Sequence, residues 1–163
     1  MNKRVKNLTH AAIIAALYAV LTHLQNLLLP GSASWAIQCR LSEALCILAF
    51  FTPAAIPGLS IGCLLFNLTF APALPLDWLL GTMATFLAAY AMHLLRKFPV
   101  PGLLMPALTN AVLVGWELTI YIGGGFALNA FYVALGELIV LLTLGLGLYW
   151  FMKERHLDKR LFS

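Results

Sequence analysis

The sequence predicts an all-α membrane protein, a bundle of six transmembrane helices with both termini in the cytoplasm. Three observations lead to this fold class: the composition, the spacing of apolar runs and the positions of the basic residues. Of 163 residues, 62% are hydrophobic and only 10% are charged, unlike any ordinary soluble domain. The apolar runs fill nearly the whole chain, so we expect residues 1–163 to form a single transmembrane domain.

The apolar runs divide the chain into six predicted helices. A helix needs about 20 apolar residues to cross the hydrocarbon core, and the first run and the last three meet that length. The stretch 36–71 is too long for one crossing, and Pro53 and Pro57 near its centre split it into two short helices. The predicted spans are residues 8–29, 36–52, 54–71, 77–95, 102–122 and 126–152.

Basic residues occur in three segments that six crossings bring to the same side of the membrane. By the positive-inside rule, that side is the cytoplasm. The net charge of +4 therefore reflects topology and gives no reason to expect a nucleic-acid partner. The basic residues of these segments are Lys3, Arg4, Lys6, Arg96, Lys97, Lys153, Arg155, Lys159 and Arg160.

Four of the six acidic residues lie within the apolar runs or at the mouth of one: Glu43, Asp77, Glu117 and Glu137. An ionised carboxylate costs about 2.5–3.5 kcal/mol near the bilayer centre, so such residues face a protein interior or an aqueous cavity. Other polar side chains also gather in the predicted outer halves of the helices. This pattern favours a binding site open to the outside over a channel, which needs polar groups along its whole length.

Several candidate site residues also have a purely structural interpretation. Asn110, Glu117 and Tyr121 share one face of the fifth predicted helix, where they either bind a ligand or join two helices. Arg40 and Glu43 are three residues apart, so they either contact a ligand or form a salt bridge within the second helix. Both alternatives stay open for each residue.

The remaining candidates lie at predicted helix ends. Asp77 either contacts a ligand or caps the fourth helix, and Asn67 either contacts a ligand or caps the third. Trp35, Trp78 and Trp116 are typical of anchors at the membrane surface, and Trp78 is also a candidate for stacking on a ligand.

The first helix carries a stripe of small residues that lets another helix approach closely. That neighbour is either part of the same bundle or a partner protein. The stripe consists of Ala11, Ala12, Ala15, Ala16 and Ala19. No catalytic, metal-binding or cofactor-binding motif occurs, so we expect neither enzymatic activity nor a metal or cofactor.

Five local strings, in this order and spacing, resemble the QueT family, the substrate-binding S-components of energy-coupling factor (ECF) transporters. The strings are Gln38 to Leu45, Gly58 to Cys63 with Asn67, Asp77 to Thr82 with Ala84 and Thr85, Asn110 and Ala111 with Val114 to Leu118, and Ala134 to Glu137.

The resemblance implies a six-helix S-component in the plasma membrane of a prokaryote. It implies capture of a queuosine precursor, 7-aminomethyl-7-deazaguanine or a close relative, on the outside. It also implies a transmembrane coupling protein and two cytoplasmic ATPases as partners, with the alanine stripe matching the surface offered to the coupling protein. In that family the S-component is thought to topple in the membrane and carry its site inward.

This ligand is rich in hydrogen-bond donors and carries an ammonium group, which suits four carboxylates and one arginine. An anionic vitamin would be repelled. The expected contacts are Glu137 or Glu117 on the guanine edge, Asp77 or Glu43 near the ammonium, Asn67 or Asn110 on the carbonyl, Trp78 in stacking, and Arg40 in the same site.

Three alternatives remain at the level of the sequence. The chain could carry a different cationic or amine-rich solute, as an S-component or another carrier. It could be an ion-coupled carrier that uses Glu137 as a proton site. It could also be an intramembrane enzyme with a pair of catalytic carboxylates, although no recognisable catalytic string supports this reading.

Overall fold

The computed structural model of the chain describes residues 2–32, 37, 39–70, 73 and 75–162. Every regular element in these ranges is helical and none is a strand, so the all-α prediction is confirmed. The elements are α1 (Lys3–Leu28), a 3₁₀ helix (Leu41–Phe50), α2 (Ala55–Thr69), a first π turn (Asp77–Gly81), α3 (Thr82–Leu94), α4 (Pro99–Tyr121), α5 (Phe126–Val140), a second π turn (Leu141–Gly145), α6 (Leu146–Glu154) and α7 (Leu157–Phe162).

Three helices in the described ranges are long and apolar enough to cross a membrane. They are Lys3–Leu28, Pro99–Tyr121 and the continuous helix Phe126–Glu154, which contains the second π turn. Helices occur at all six predicted places, but the elements Leu41–Phe50 and Ala55–Thr69 are shorter. Membrane character is therefore supported by length and composition, while six crossings stay a prediction.

The second predicted span is wrong in both length and type. The prediction was a helix over 36–52, whereas the chain forms a 3₁₀ helix over Leu41–Phe50. A 3₁₀ helix rises about 2.0 Å per residue, so ten residues extend about 20 Å. The element packs against α1 to α6 and eight of its ten residues are buried. Hydropathy cannot distinguish its i→i+3 hydrogen bonds from the i→i+4 bonds of an α-helix, which explains the error.

Other helix bounds differ less from the predictions. The first helix begins at Lys3 rather than residue 8, because the Asn2 side chain caps it by accepting a hydrogen bond from the Arg4 backbone N–H at 3.1 Å. The sequence Gly123-Gly124-Gly125 predicts a turn between the last two long helices, and it is observed, with Gly123 and Gly124 at φ of +82° and +80°. The sequence also predicts a lid over residues 30–37 and a rigid turn over residues 71–76. Residues 33–36, with Trp35, and residues 71, 72 and 74 lie outside the described residues.

Close packing of α1 on α2 depends on small residues in both helices. A Cβ atom added to Gly58 would lie 2.9 Å from the Ala11 carbonyl oxygen. A Cβ atom added to Gly62 would lie 2.7 Å from the Tyr18 Cβ and 2.8 Å from the Ala15 carbonyl oxygen. Ala11 and Ala15 are buried in this contact. For these two alanines the structure therefore agrees with packing inside the bundle.

The other members of the alanine stripe lie on a different part of α1. Ala12 and Ala16 are exposed and Ala19 is half-buried. With Ile61 and Leu65 of α2, Ala12 and Ala16 line a groove of about 310 Å³. A contact between this groove and a partner protein stays a prediction.

One end of the bundle, called the basic end below, is closed by aromatic contacts between distant parts of the chain. The rings of His10 in α1 and Phe162 in α7 are 5.2 Å apart. The Lys153 ammonium lies 5.3 Å from the centre of the Phe51 ring, and the His93 Nδ1 is 2.8 Å from a backbone carbonyl at the end of the 3₁₀ helix. The two termini and the basic residues therefore meet at one end, as a same-side arrangement requires.

Candidate substrate-binding site

At the opposite end, called the site end, polar side chains from six elements converge in the interior of the bundle. The residues are joined by a continuous set of hydrogen bonds and electrostatic interactions. They include seven of the eight residues that the sequence singles out: Arg40, Glu43, Asn67, Asp77, Asn110, Glu117 and Glu137.

Arg40 lies at the centre of this group, directly before the 3₁₀ helix. It is 9% exposed, and its guanidinium lies 5.7 Å from the centre of the Phe66 ring. Its charge acts on Glu43 and Glu137, on two different elements. Arg40 precedes the helix that contains Glu43, so the two residues do not form the predicted pair within one α-helix. The charge of the guanidinium instead acts on carboxyl groups of two separate elements.

Glu43 is fully engaged by the protein. Its Oε1 accepts a hydrogen bond from the Tyr18 hydroxyl, and its Oε2 lies 3.1 Å from the Cys46 thiol, which donates to it. Glu43 is 1% exposed and Tyr18 is 0% exposed. Since both carboxylate oxygens already receive a donor, Glu43 forms the floor of the site and holds α1 against the 3₁₀ helix.

Glu137 is engaged on one side only. Its Oε1 accepts a hydrogen bond from the Asn110 amide at 3.0 Å, whereas its Oε2 is buried and has no hydrogen-bond partner among the described residues. The contact is possible because α4 and α5 pack closely: a Cβ on Gly115 would lie 2.8 Å from the Ala130 Cα. Asn110 therefore orients Glu137, and one carboxylate oxygen remains available to a ligand.

Glu117 differs from the other two glutamates. It is 1% exposed, and neither of its oxygens has a hydrogen-bond donor in the part of the chain that the structure describes. Its carboxyl interacts directly with that of Asp77, which lies in the first π turn and is half-buried. A buried polar group without a hydrogen-bond partner is costly, so Glu117 stays a candidate for ligand contact.

Asn67 positions the first π turn. Its amide donates to the Asp77 backbone oxygen at 2.7 Å, and a Cβ on Gly81 would lie 3.1 Å from the same amide nitrogen. The helix already includes residues 75 and 76, so Asp77 lies inside it and is not the N-cap. Asn67 likewise bridges to another element and does not cap its own helix. π turns inside α-helices frequently occur at functional sites.

Two aromatic candidates lie at the edge of the site. The exposed fractions of Trp78 and Tyr121 are both 39%. The Tyr121 hydroxyl accepts a hydrogen bond from the Leu76 backbone N–H at 3.3 Å. Tyr121 is the last residue of α4, one turn beyond Glu117, so it is more exposed than Asn110 and Glu117, which are buried. Both roles of Trp78, anchoring and stacking, stay predictions.

The sequence places Thr22 and Gln25 of α1 among the polar groups of the outer halves, but it does not single them out as site residues, and it gives no role to Tyr18. Tyr18 donates to Glu43, and Thr22 donates to the Ser42 hydroxyl at 2.7 Å. Gln25 accepts from the Leu41 backbone N–H at 2.7 Å and so holds the start of the 3₁₀ helix. A signal was available, since positions 18, 22 and 25 lie on one helical face and carry polar groups within an apolar run.

The arrangement can bind a small molecule that brings donors and positive charge. Four carboxyl groups face one guanidinium, and three buried carboxylate oxygens, two on Glu117 and one on Glu137, have no donor in the described ranges. The described residues contain no group of three or more His, Cys, Asp or Glu side chains that could hold a metal ion. A buried, acidic, donor-seeking site inside apolar helices is typical of a membrane protein that binds or transports a small solute.

Comparison with known protein families agrees with a membrane protein that binds or transports a small solute. The chain matches the family described as "QueT transporter" over residues 8–154, which is most of its length, and it therefore belongs to the QueT transporter family. No curated protein and no solved structure matches the chain. The family is one of membrane transporters with small-molecule substrates, and it gives no support to the alternative of an intramembrane enzyme.

Proposed function

We propose that this protein is the substrate-capture subunit, or S-component, of an ECF-type importer and that it binds a queuosine precursor such as 7-aminomethyl-7-deazaguanine. The observation that carries the proposal is the set of buried carboxylate oxygens without donors on Glu117 and Glu137. Membership of the QueT transporter family supports the transport role.

The ligand has the groups that this site lacks. Its guanine edge offers a ring N–H and an amine, which one carboxylate can accept together. Glu137, oriented by Asn110, suits that edge through its Oε2. Amide groups near the site can donate to the guanine carbonyl. The acidic surroundings disfavour anionic solutes, because like charges repel each other. At a separation of about 4 Å the repulsion costs about 1 kcal/mol in water and about 4 kcal/mol near a protein surface.

We further propose six crossings with both termini in the cytoplasm of a prokaryotic cell. In this orientation the site end faces outward and the basic end lies inside, following the positive-inside rule. A transmembrane coupling protein and two cytoplasmic ATPases complete the importer. The groove beside Ala12 and Ala16 suits the coupling protein, because small exposed residues allow a partner helix to approach closely.

The substrate proposal is tested by calorimetric titration of the purified protein in detergent with 7-aminomethyl-7-deazaguanine. Guanine and biotin serve as control ligands. We expect the parent protein to bind the precursor tightly and not to bind biotin. Glu137→Gln should bind the precursor at least about 10-fold more weakly than the parent does. Glu154→Gln, at the exposed basic end, is the matched control and should bind like the parent. A folded parent that gives no heat with the precursor would rule out this substrate.

The partner proposal is tested separately by co-purification with a coupling protein and two ATPases. Ala16→Leu should reduce the recovered complex, because a larger side chain fills the groove. Val112→Leu on the exposed surface of α4 is the control and should leave recovery unchanged. Equal recovery of both variants would show that the groove is not the docking surface.

A further inference from the structure

The side-chain amide of Gln25 holds both peptide groups that join Arg40 to its neighbours in the chain. Its Nε2 donates to the Cys39 carbonyl oxygen at 2.6 Å, and its Oε1 accepts from the Leu41 backbone N–H at 2.7 Å. Nε2 also donates to the Ser32 hydroxyl at 2.9 Å. A glutamine side chain has two N–H donors and one carbonyl oxygen, so the protein engages all three groups of Gln25.

These contacts fix the backbone on both sides of Arg40. The Cys39 carbonyl can only accept and the Leu41 N–H can only donate, so the amide satisfies both in one orientation. Arg40 itself is extended, with φ of −75° and ψ of 109°, directly before the 3₁₀ helix. The first N–H groups of a helix have no partner within it, and here Gln25 of α1, which is 4% exposed, supplies one.

The backbone direction at Arg40 determines where its side chain enters the bundle. The side chain reaches α2, where Nη1 lies 4.0 Å from the Cys63 Sγ and the guanidinium lies 5.7 Å from the centre of the Phe66 ring. An arginine side chain has many rotamers, and it keeps a single position only where surrounding contacts hold it. The contacts of Gln25 therefore act on the position of the guanidinium, although Gln25 lies on another element.

We propose that Gln25 is a positioning residue of the candidate site. By holding the peptide groups on both sides of Arg40, it sets where the guanidinium lies among the carboxyl groups of the site. This inference rests on the proposed function, because it takes the surroundings of Arg40 to be the substrate site. Substrate affinity then depends on Gln25 through Arg40, whereas a glutamine that only stabilises the fold would act independently of the guanidinium.

A double-mutant cycle tests this dependence, with calorimetric titration of 7-aminomethyl-7-deazaguanine as the measurement. Gln25→Met keeps the approximate size of the side chain and removes its three hydrogen bonds, and Arg40→Met removes the guanidinium. We expect each single variant to bind at least about 10-fold more weakly than the parent. The double variant should match Arg40→Met within about 3-fold, because the position of an absent guanidinium no longer matters.

Asn7→Leu is the matched control, since it removes an exposed amide of the same helix at the basic end and should bind like the parent. Losses that multiply in the double variant, or an unchanged affinity in Gln25→Met, would overturn the positioning role and leave the substrate assignment intact. If Gln25→Met does not yield folded protein, Gln25→Glu at about pH 8 takes its place. Its ionised side chain keeps an acceptor for Leu41 and loses both donors.

Thiol alkylation of the ligand-free protein gives a second readout. Cys39 is half-buried and bound by Gln25 through its carbonyl, Cys63 is buried beside Arg40, and Cys46 is buried against Glu43. In Gln25→Met we expect Cys39 to react at least about 5-fold faster, Cys63 faster by a smaller factor, and Cys46 at the rate of the parent.

This readout decides the inference where binding cannot. A parent that does not bind the precursor overturns the proposed function, and an Arg40→Met variant without measurable binding leaves the cycle incomplete. In either case, an unchanged rate at Cys39, or an equal rise at all three thiols, would overturn the positioning role, because the second result indicates general loosening of the fold.

Discussion

The surroundings of Glu43 and Glu117 differ although both carboxylates are equally buried at the same end of the bundle. Glu43 lies between α1 and the 3₁₀ helix and receives donors from Tyr18 and Cys46. Glu117 lies between α4 and the first π turn, where it meets Asp77 and has no donor in the described ranges. An acidic residue inside a membrane protein is thus not by itself evidence of ligand binding. Hydrogen-bond partners within the protein favour a structural role, whereas a buried group without them is the better candidate for binding.

The strongest disturbance of the Glu43 region is expected from Gly62→Leu. The new side chain would collide with Tyr18 and with the backbone of Ala15, so α1 and α2 must separate. We expect a destabilisation of more than about 3 kcal/mol or loss of folded protein, measured by thermal unfolding and size-exclusion chromatography in detergent. Gly147→Leu is the control, because nothing lies within 4 Å of a Cβ at that position. Similar behaviour of the two variants would contradict the close packing of α1 on α2.

A smaller effect in the same region is expected from Tyr18→Phe. The substitution removes the donor to Glu43 and leaves a buried carboxylate oxygen unpaired. We expect the free energy of unfolding to fall by about 1–3 kcal/mol. Tyr90→Phe serves as the control, since Tyr90 is 47% exposed on the bundle surface. If Tyr18→Phe unfolds at the temperature of the parent, Glu43 does not depend on this hydrogen bond and the contrast with Glu117 weakens.

Asn110→Ala tests the intermediate case, in which Glu137 has one donor. Without the Asn110 amide, Glu137 loses its orientation, and we expect affinity for 7-aminomethyl-7-deazaguanine to fall about 10-fold, with a loss of stability of about 1 kcal/mol. The neighbouring Thr109→Ala is the control, because the Thr109 hydroxyl donates only to carbonyls of its own helix in the contacts observed. Unchanged affinity in Asn110→Ala would remove Asn110 from the positioning of Glu137.

The smallest effect is expected at the basic end. Burial raises the pKa of Asp158, but the Lys159 backbone N–H and the Lys153 ammonium outweigh it, so the pKa lies below its ordinary value. A lowered pKa contributes stability above the ordinary value of about 4 and loses it as the pH falls. The pair is partly exposed, with Lys153 at 47%, so we expect only a slight decrease of the unfolding midpoint in Asp158→Asn at pH 7.

The midpoints of the parent and Asp158→Asn should converge as the pH falls to about 3, where the carboxyl is protonated in both folded and unfolded chains. A difference that grows on acidification would reverse the sign of the Asp158 contribution. Glu154→Gln, measured over the same pH range, controls for other acidic groups at this end.

Much of the site could be predicted from the sequence because charge inside an apolar run is a strong signal. Glu117 and Glu137 stand out for this reason, and the structure buries both in one site. The partner of each carboxylate could not be predicted, since it depends on how helices rotate against one another. Tyr18 illustrates this, because its role follows only from the approach of the 3₁₀ helix to α1.

The fold, like the site, could be predicted from the sequence only in part. Hydropathy indicates where apolar helices lie, and helices occur at all six predicted places. It is insensitive to whether the backbone bonds over three, four or five residues, so the 3₁₀ helix and both π turns were not foreseen. The alanine stripe also could not be resolved in advance. Ala15 faces α2 and Ala16 faces outward, although the two are chemically identical neighbours.

The second π turn bears on how the chain tolerates changes of length. A π turn closes its hydrogen bonds over five residues instead of four, so Leu141–Gly145 contains one residue more than the α-helix requires. Deleting one residue there should restore a regular helix and keep Glu137 and Met152 on their present faces. A deletion between Asn110 and Glu117 in α4, which contains no π turn, would rotate the two residues relative to each other by about 100°. A single-residue deletion scan should therefore find its tolerant positions within the π turn, which makes this turn a natural place for the length of the helix to vary between homologous proteins.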